Sequence, residues 1–357
     1  MTKANNATRA HLLRHYEVYP CLQAEDVFKF LFQSALGCEH LVSDEERALR
    51  YIKSEYETVP ATDEVRIEPL DGAYSRVYLS FLKKGLSPTT LARLFCLSAK
   101  KEADGKALLE EKLAVAQDLI GNGALPLDKE DFARKLAEWR ALGFPAVRHS
   151  EQFRACYRPA YRVISNRYVE LLQVFCAIDR LLCKGNATVA IEGGSASGKS
   201  TLAALLQTVY DCNVLHMDDF FLRPEQRMQE RLAEIGGNLD RERFLDEVLR
   251  PLQSGDVVRY RPFDCFRQAL GDTVTVPPKQ LTVIEGVYSM HPAFGEYYDL
   301  ALFLEIDQKT QRDRIEVRNS PSLAKRFFEE WIPMENLYFS EMQIKDRASL
   351  ILPVKAP

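Results

Sequence analysis

The sequence predicts an α/β fold in which a parallel sheet is flanked by helices and is preceded by a mostly α-helical N-terminal domain. Short apolar runs begin to alternate with helical or polar stretches near residue 185, namely TVAIEG, NVLHM, LTVIEG and LALFLEI. This alternation is typical of a parallel sheet with helices on both faces. The chain of 357 residues also exceeds what one hydrophobic core usually organises, which favours two domains.

The first half has helical patterns along most of its length. Apolar residues in AEDVFKFLFQSALG recur at helical spacing and stop at Gly37. Ser87 precedes Pro88, and Asp128 precedes another helical run, as is typical of helix N-termini. The stretch AYSRVYLSFL has the character of a strand instead. We therefore predict a mostly α-helical domain of unassigned role over residues 1–162.

Residues 163–182 carry their apolar side chains on one stripe, which predicts a long helix packed on a partner. The sequence CKGNA then breaks this pattern. We interpret residues 163–186 as a connecting helix and linker. The α/β domain is expected over residues 187–357.

Composition and charge exclude several classes of partner. A net charge of −4 leaves no electrostatic footprint for nucleic acid or for an anionic membrane. No apolar run is long enough to span a bilayer. The eight cysteines are scattered without a C-x-x-C pair and are predicted to be buried small apolar residues. Together with an N-terminus that lacks an apolar leader, they predict a reducing cytoplasmic location.

The stretch VAIEGGSASGKST matches the P-loop template, because Gly193 is followed by four residues and then by Gly198, Lys199 and Ser200. Small residues let successive amides surround phosphate oxygens at the start of a helix. Lys199 is expected to reach the β- and γ-phosphates, and Ser200 to bind Mg²⁺. The pattern predicts ATP and Mg²⁺ as cofactors. The predicted nucleotide-binding residues are Gly193, Gly194, Ser195, Ala196, Ser197, Gly198, Lys199, Ser200 and Thr201.

A pair of aspartates follows the second apolar run of this half. In NVLHMDDFF, Asp218 and Asp219 come directly after the run, at the edge of the sheet where open α/β folds bind ligands. A carboxylate at this edge can accept the proton of a hydroxyl group or hold Mg²⁺. Asp218 is the stronger candidate. Whether Asp219 shares its role or caps the next helix stays open.

From these motifs onward the sequence resembles the uridine kinase and phosphoribulokinase group of P-loop small-molecule kinases, over residues 187–352. The motif MDDFF is similar to the form in ribosylnicotinamide kinases. The resemblance implies a P-loop kinase fold, a small-molecule acceptor with a free hydroxyl, and Asp218 as the general base. It implies Lys199 as a further catalytic residue.

Other segments match the same family. The segment GGNLDRERF resembles the one in which nucleoside kinases hold ribose hydroxyls, which implies substrate binding by Asp240. VIEGVYS looks like the strand that ends in a glutamate near the metal, which implies Glu285. QRDRIEVRN resembles the arginine-bearing lid. It implies that Arg314 and Arg318 are catalytic, with Arg312 as a weaker candidate.

One segment departs from the family. Uridine kinases read the pyrimidine with a tyrosine and histidine element, but this chain has VVRYRPFDCF at that place. Tyr260 and Arg261 are candidate substrate contacts there. The acceptor therefore stays open between a nucleoside such as uridine and a non-nucleoside such as pantothenate or a sugar acid.

Three hypotheses for the function remain. The first is an ATP- and Mg²⁺-dependent kinase of a small-molecule hydroxyl; the second is a regulatory switch driven by ATP hydrolysis; the third is a kinase of a macromolecule. Asp218 and Asp240 favour the first, because a switch needs no acceptor pocket. The first half resembles no family; it could dimerise the chain, regulate it, or carry a second site that includes His40 and His149. A structural network is the expected role of those histidines.

Overall fold

The computed structural model describes residues 3–38, 44–62, 64–99 and 105–355. Contacts between residues divide the chain into two compact units, Met1–Asp179 and Arg180–Pro357. The division falls inside the segment 163–186 that was interpreted as a connector. In the described ranges, every helix is too short or too polar to cross a bilayer.

The first unit is mostly helical and contains a small antiparallel sheet. Its three described strands pair in the order in which they occur in the chain, and Ser87 and Asp128 cap the helices that begin at Pro88 and Lys129, as predicted. Its strands are β1 (Ile67–Pro69), β2 (Tyr74–Tyr78) and β3 (Tyr161–Ser165). The helices are α1 (Lys3–Val18), α2 (Ala24–Leu36), α3 (Glu45–Tyr56), α4 (Pro88–Ser98), α5 (Gly105–Gly121), α6 (Lys129–Ala141), α7 (Glu151–Tyr157), α8 (Asn166–Val169) and α9 (Leu172–Leu182), whose last residues belong to the second unit.

The segment 163–182 is not the single long helix that its apolar stripe predicted. Val163 and Ile164 lie in β3, where they pair with Arg76 and Ser75 of β2. Both β-branched side chains are buried, and such residues pack well on a pleated surface. Pairing with a strand far away in the sequence therefore overrides the helical spacing at the start of this segment.

The prediction that the cysteines are buried holds for only part of the set. Cys38, Cys176 and Cys212 are buried. Cys156, Cys183 and Cys265 are exposed. Sequence spacing carries no information on the exposure of an isolated cysteine, since a thiol is tolerated in either environment.

The second unit is an α/β unit built on a five-stranded sheet. Two helical stretches continue through wide turns at Leu245–Leu249 and Phe327–Trp331. The helices are α10 (Lys199–Val209), α11 (Gln229–Leu232), α12 (Arg241–Phe244), α13 (Arg250–Ser254), α14 (Gln308–Arg318), α15 (Pro321–Arg326) and α16 (Ile332–Glu341). The strands are β4 (Ala187–Gly193), β5 (Cys212–His216), β6 (Val258–Tyr260), β7 (Phe263–Asp264), β8 (Ala269–Leu270), β9 (Val274–Val276), β10 (Leu281–Glu285), β11 (Leu300–Glu305) and β12 (Leu350–Pro353).

The large sheet is entirely parallel and has the order β12-β11-β4-β10-β5. Every residue of β10 is buried, as expected of a strand covered on both faces. Its central strand, β4, is the one that leads into the predicted phosphate loop. Because all five strands run the same way, the residues that follow β4, β5 and β10 meet at one edge of the sheet.

Candidate active site

The predicted strand, loop and helix are present, since β4 ends at Gly193 and α10 begins at Lys199. Three loop residues have positive φ angles, at 145° for Gly193, 61° for Ala196 and 101° for Gly198. A Cβ atom on Gly193 would lie 2.6 Å from the carbonyl oxygen of Leu304, so only glycine fits there. A non-glycine residue in this region, such as Ala196, stores strain of a kind that clusters at ligand sites.

The N-terminus of α10 is arranged for an anion. No side chain of the described residues caps this helix, so the amides of its first turn keep their hydrogens for a ligand. A Cβ atom on Gly198 would meet no described atom within 4 Å, which shows open space beside these amides. Ser200 and Thr201 lie in this first turn.

Lys199 folds back over the loop. Its Nζ atom donates to the carbonyl oxygens of Gly193, at 2.8 Å, and Gly194, at 3.1 Å. The ammonium group therefore stays beside the mouth of the loop, where it can reach the terminal phosphates of a bound nucleotide.

The predicted metal ligands Ser200 and Glu285 are brought together. The Oγ atom of Ser200 donates to Oε1 of Glu285 at 3.0 Å, and Nδ1 of His216 lies 2.6 Å from the same oxygen. The hydrogen bond to Glu285 raises the pKa of His216. The described residues contain no cluster of three or more His, Cys, Asp or Glu side chains that could hold a metal ion. A hydroxyl and a single carboxylate still suit Mg²⁺, which takes few protein ligands and fills its shell with phosphate oxygens and water.

The two aspartates after β5 differ in their surroundings. Asp218 is exposed, yet nearby protein raises the pKa of its carboxyl by desolvation, with Glu285 and Asp219 acting in the same direction and Lys199 against it. Asp219 accepts a hydrogen bond from the hydroxyl of Tyr260 at 3.0 Å. Asp218 is thus the member of the pair that is accessible to a substrate beside the phosphate loop.

Asp240 lies at the N-terminus of α12 and is only 2% exposed. Its carboxylate accepts from the amide of Arg243 at 3.2 Å and from Nε2 of Gln226 at 3.0 Å. The residue therefore caps a helix in this structure. Binding of ribose hydroxyls by Asp240 remains a prediction.

Tyr260 and Arg261, the other predicted substrate contacts, form hydrogen bonds to neighbouring groups of the protein. Tyr260 is buried and bonded to Asp219. Arg261 donates from Nε and Nη2 to the carbonyl oxygens of Gly271 and Leu270, at 2.7 and 3.0 Å. The guanidinium of Arg261 therefore fixes the hairpin formed by β7 and β8, and its role in substrate binding remains a prediction.

Helix α14 lies against the phosphate loop. Nε2 of Gln311 donates to the carbonyl oxygen of Ser195 at 2.9 Å, and Nη1 of Arg314 to that of Ala196 at 3.1 Å. Arg318, one turn further on, is exposed. Arg312 pairs with Glu316 on the surface of the same helix. Of the three arginines, the structure places Arg314 on the loop.

Helix α16 brings a carboxylate to the same loop. Glu335 is 6% exposed, and its two oxygens accept from the amide of Ser195, at 2.8 Å, and from the Ser195 hydroxyl, at 2.5 Å. Burial raises the pKa of Glu335. A carboxylate in this position accepts a hydrogen bond from an amide that could otherwise donate to a phosphate oxygen.

A second carboxylate lies buried behind the loop. Glu192 is fully enclosed and accepts from the amides of Gly193 and Met290, at 2.9 and 3.2 Å, and from the hydroxyl of Tyr338 at 3.0 Å. Burial raises the pKa of Glu192 to about 7. The group therefore titrates near neutral pH.

In the first unit, His149 belongs to a buried network. Its Nδ1 atom lies 2.8 Å from Asp26 and its Nε2 atom 2.6 Å from the hydroxyl of Tyr161. Burial lowers the pKa of His149 to about 4, so the ring is neutral at physiological pH. His40 lies outside the described residues.

Sequence reasoning missed three residues of the site. His216 stands two positions before Asp218 at the end of β5, and that proximity was a usable signal. Gln311 precedes Arg314 by three positions and so shares its helix face. The role of Glu335 was not predictable from the sequence, because no feature of the stretch IPMENLYFSE indicates a contact between Glu335 and the distant phosphate loop.

No family model matches the chain. A protein from Bacillus stearothermophilus described as a possible uridine kinase is 22% identical and covers 50% of this chain and 99% of its own, with a TM-score of 0.38. A protein from Silicibacter sp. TM1040, provisionally described as a fructose transport system kinase, is 23% identical and covers 47% of this chain and 90% of its own, with a TM-score of 0.38. Shikimate kinase from Bacteroides thetaiotaomicron is 12% identical and covers 47% of this chain and 86% of its own, with a TM-score of 0.26. The strand order and the loop after the central strand, described above, give the second unit the P-loop kinase fold that the sequence predicted.

Proposed function

We propose that this protein is an ATP- and Mg²⁺-dependent kinase that phosphorylates a hydroxyl group of a small molecule, most simply a nucleoside such as uridine. One observation carries the proposal: an accessible aspartate, Asp218, lies within electrostatic reach of Lys199, the first residue of a helix whose N-terminus is capped by no described side chain. This arrangement sets a base beside the place where a terminal phosphate would lie.

The residues present suit the two cofactors. The open first turn of α10 and the side chain of Lys199 would hold the triphosphate. Ser200 and Glu285 would hold Mg²⁺, which neutralises charge on the phosphate oxygens when it is bound.

The transfer itself needs little covalent chemistry from the protein. Asp218 orients the acceptor hydroxyl and takes its proton, while the acceptor oxygen bonds to the γ-phosphorus and the bond to the β,γ-bridging oxygen breaks, which releases ADP. The raised pKa of Asp218 makes it a stronger base than an ordinary aspartate. Lys199 and Arg314 stabilise the negative charge that develops on the moving phosphoryl group.

A non-nucleoside acceptor, such as pantothenate or a sugar acid, is the second candidate. It is favoured by the state of Asp240, whose carboxylate is buried and already engaged by Gln226 and Arg243. A ribose would reach this buried carboxylate only after movement of the surrounding residues, whereas another acceptor need not contact it.

The test is ADP release by the 357-residue chain with ATP, Mg²⁺ and a panel of nucleosides, vitamins and sugar acids. We expect one compound to stimulate ATP consumption and to appear as its phosphate ester in the phosphorus NMR spectrum. ATP consumption that no acceptor changes would overturn the proposal in favour of a switch.

The variant Asp218→Asn tests the role of Asp218 as the general base. We expect it to lower kcat by roughly 10²- to 10⁴-fold while it changes the Kd for ATP by less than about threefold, because a general base acts in the transition state. The control is Asp272→Asn, which changes an exposed carboxylate elsewhere in the second unit. Equal losses of turnover and ATP affinity in Asp218→Asn would contradict its assignment as the base.

A further inference from the structure

The backbone around Asp218 decides where its carboxylate points. Asp218 lies in the short helical turn Met217–Phe220, which follows β5 directly. No described residue donates a hydrogen bond to its carboxylate. A side chain without such a partner takes its direction from the backbone that carries it. Whatever holds this turn therefore also holds the base of the proposed reaction.

The guanidinium group of Arg243, in α12, binds this turn. Its Nη2 atom donates to the carbonyl oxygen of Asp219 at 2.7 Å, and its Cζ atom lies 4.7 Å from the centre of the Phe220 ring. Its Nη1 atom donates to the carbonyl oxygen of Arg261, between β6 and β7. One planar group thus joins the turn after β5 to a segment that is distant in the sequence.

Two carboxylates accompany the buried guanidinium. The side chain of Arg243 is only 8% exposed, and its Nε atom lies 3.5 Å from Oδ2 of Asp240. Nη1 lies 3.8 Å from Oε2 of Glu247, one helical turn further along the chain. A buried ion pair contributes little net stability, because desolvation offsets much of the attraction. Its main effect here is to fix the direction of the guanidinium and so of the two carbonyl groups that it binds.

The side chain of Asp219 is held as well as its carbonyl group. The hydroxyl of Tyr260 donates to Oδ2 of Asp219 at 3.0 Å, and the Tyr260 ring lies 5.1 Å from that of Phe220. Asp219 is therefore engaged at both ends by residues from other segments. The neighbouring Asp218 keeps its carboxylate exposed, so a fixed residue stands directly beside an accessible one.

We propose that Arg243 is a positioning residue for the base Asp218, on which it acts through the carbonyl group of Asp219. This role rests on the proposed kinase function. A base must lie within hydrogen-bond distance of the hydroxyl whose proton it takes. Misplacement of a reacting group by about 1 Å can cost roughly 10²-fold in rate. Arg243 sets this distance through the backbone and need not contact the substrate.

The experiment compares Arg243→Lys with the native protein in the assay with the acceptor found in the panel. Lysine keeps the positive charge but lacks the rigid planar fork that binds the two carbonyl groups. We expect kcat to fall by about 10- to 10²-fold, while the Kd for ATP changes by less than about twofold. The control is Arg250→Lys, at an exposed position of α13, which should change neither value.

A double mutant separates positioning from a general structural effect. In the Asp218→Asn background no base remains to be positioned, so Arg243→Lys should lower the residual kcat by less than about twofold. An equal fall of kcat in both backgrounds, or an unchanged kcat in Arg243→Lys alone, would overturn the positioning role while the kinase function stands. A native protein that phosphorylates no acceptor would overturn the kinase function, and the positioning role with it.

Discussion

At the scale of single residues, the contact between Glu335 and Ser195 bears most directly on ligand binding. The carboxylate of Glu335 accepts from both the amide and the hydroxyl of Ser195. A triphosphate bound to the loop would bring further negative charge close to this carboxylate. The two anions therefore compete, both for the amide hydrogen and through repulsion.

Replacement of Glu335 by glutamine should therefore strengthen ATP binding. Glu335→Gln keeps the shape of the side chain and one acceptor oxygen but removes the charge, so we expect the Kd for a non-hydrolysable ATP analogue to fall by about three- to tenfold. Isothermal titration calorimetry measures this change. Glu341→Gln, at an exposed position of the same helix, is the control. Weaker binding by Glu335→Gln would instead show that the carboxylate holds the loop in its binding shape.

The buried carboxylate of Glu192 should make stability depend on pH. Burial raises its pKa from 4.5 to about 7 in the folded protein. Between these two values the folded state binds more protons than the unfolded chain, so the free energy of unfolding falls as the pH rises. The stabilisation is fully present below about pH 4.5 and is lost as the pH passes through about 7, with a total of at most about 3 kcal/mol.

Glu192→Gln isolates this effect, because a glutamine does not ionise. We expect the free energy of unfolding of the native protein to fall relative to that of Glu192→Gln between about pH 5 and about pH 8, as measured by urea denaturation at several pH values. For Glu341→Gln the difference from the native protein should stay constant. Parallel curves for Glu192→Gln would show that Glu192 is ionised in the folded state throughout this range.

At the scale of elements, α14 acts on the phosphate loop through one face. Gln311 and Arg314 contact successive carbonyl groups of the loop, while Arg312 pairs with Glu316 on the surface. Under the proposed function, Arg314→Ala should lower kcat/KM by about 10²-fold, because it removes a positive charge from the phosphate end. Arg312→Ala should change kcat/KM by less than about twofold. Steady-state assays with the acceptor found in the panel give both values, and similar losses in the two variants would contradict the selective role of Arg314.

The parallel sheet was predictable because β4, β5, β10 and β11 are short apolar runs, and the inner strands β4, β10 and β11 are mostly buried on both faces. The phosphate loop was predictable because its spacing is local and its glycines are required by the backbone. The contacts of Glu335 were not predictable, because they depend on how α16 packs across the end of the sheet. The prediction of a helix at the start of the segment 163–182 was wrong for a similar reason. This part of the chain, β3, pairs with β2, which is far away in the sequence, and helical spacing describes only local structure.

At the scale of the whole molecule, the chain consists of two compact units. The two tryptophans report on them separately, since Trp139 belongs to the first unit and Trp331 to the second. A ligand that binds only the folded second unit stabilises that unit by mass action, by about 2.7 kcal/mol at a concentration of 100 Kd.

Thermal unfolding followed by tryptophan fluorescence should therefore show a selective shift. With a non-hydrolysable ATP analogue and Mg²⁺, we expect the Tm reported by Trp331 in Trp139→Phe to rise. The Tm reported by Trp139 in Trp331→Phe should stay the same. Equal shifts in both variants would show that the units unfold as one cooperative body.

The position of β4 in the middle of the sheet has a consequence for how the activity is encoded. His216 and Glu285 end the two strands on one side of β4, and Asp218 follows one of them. Gln311, Arg314 and Glu335 come from chain that follows β11 on the other side. Under the proposed function, the base Asp218 thus lies in a stretch of the gene between the one that encodes the phosphate loop, residues 193–201, and the one that encodes α14 and α16, the helices that contact this loop. A descendant could acquire a new acceptor through changes in the middle stretch alone and inherit the other two intact.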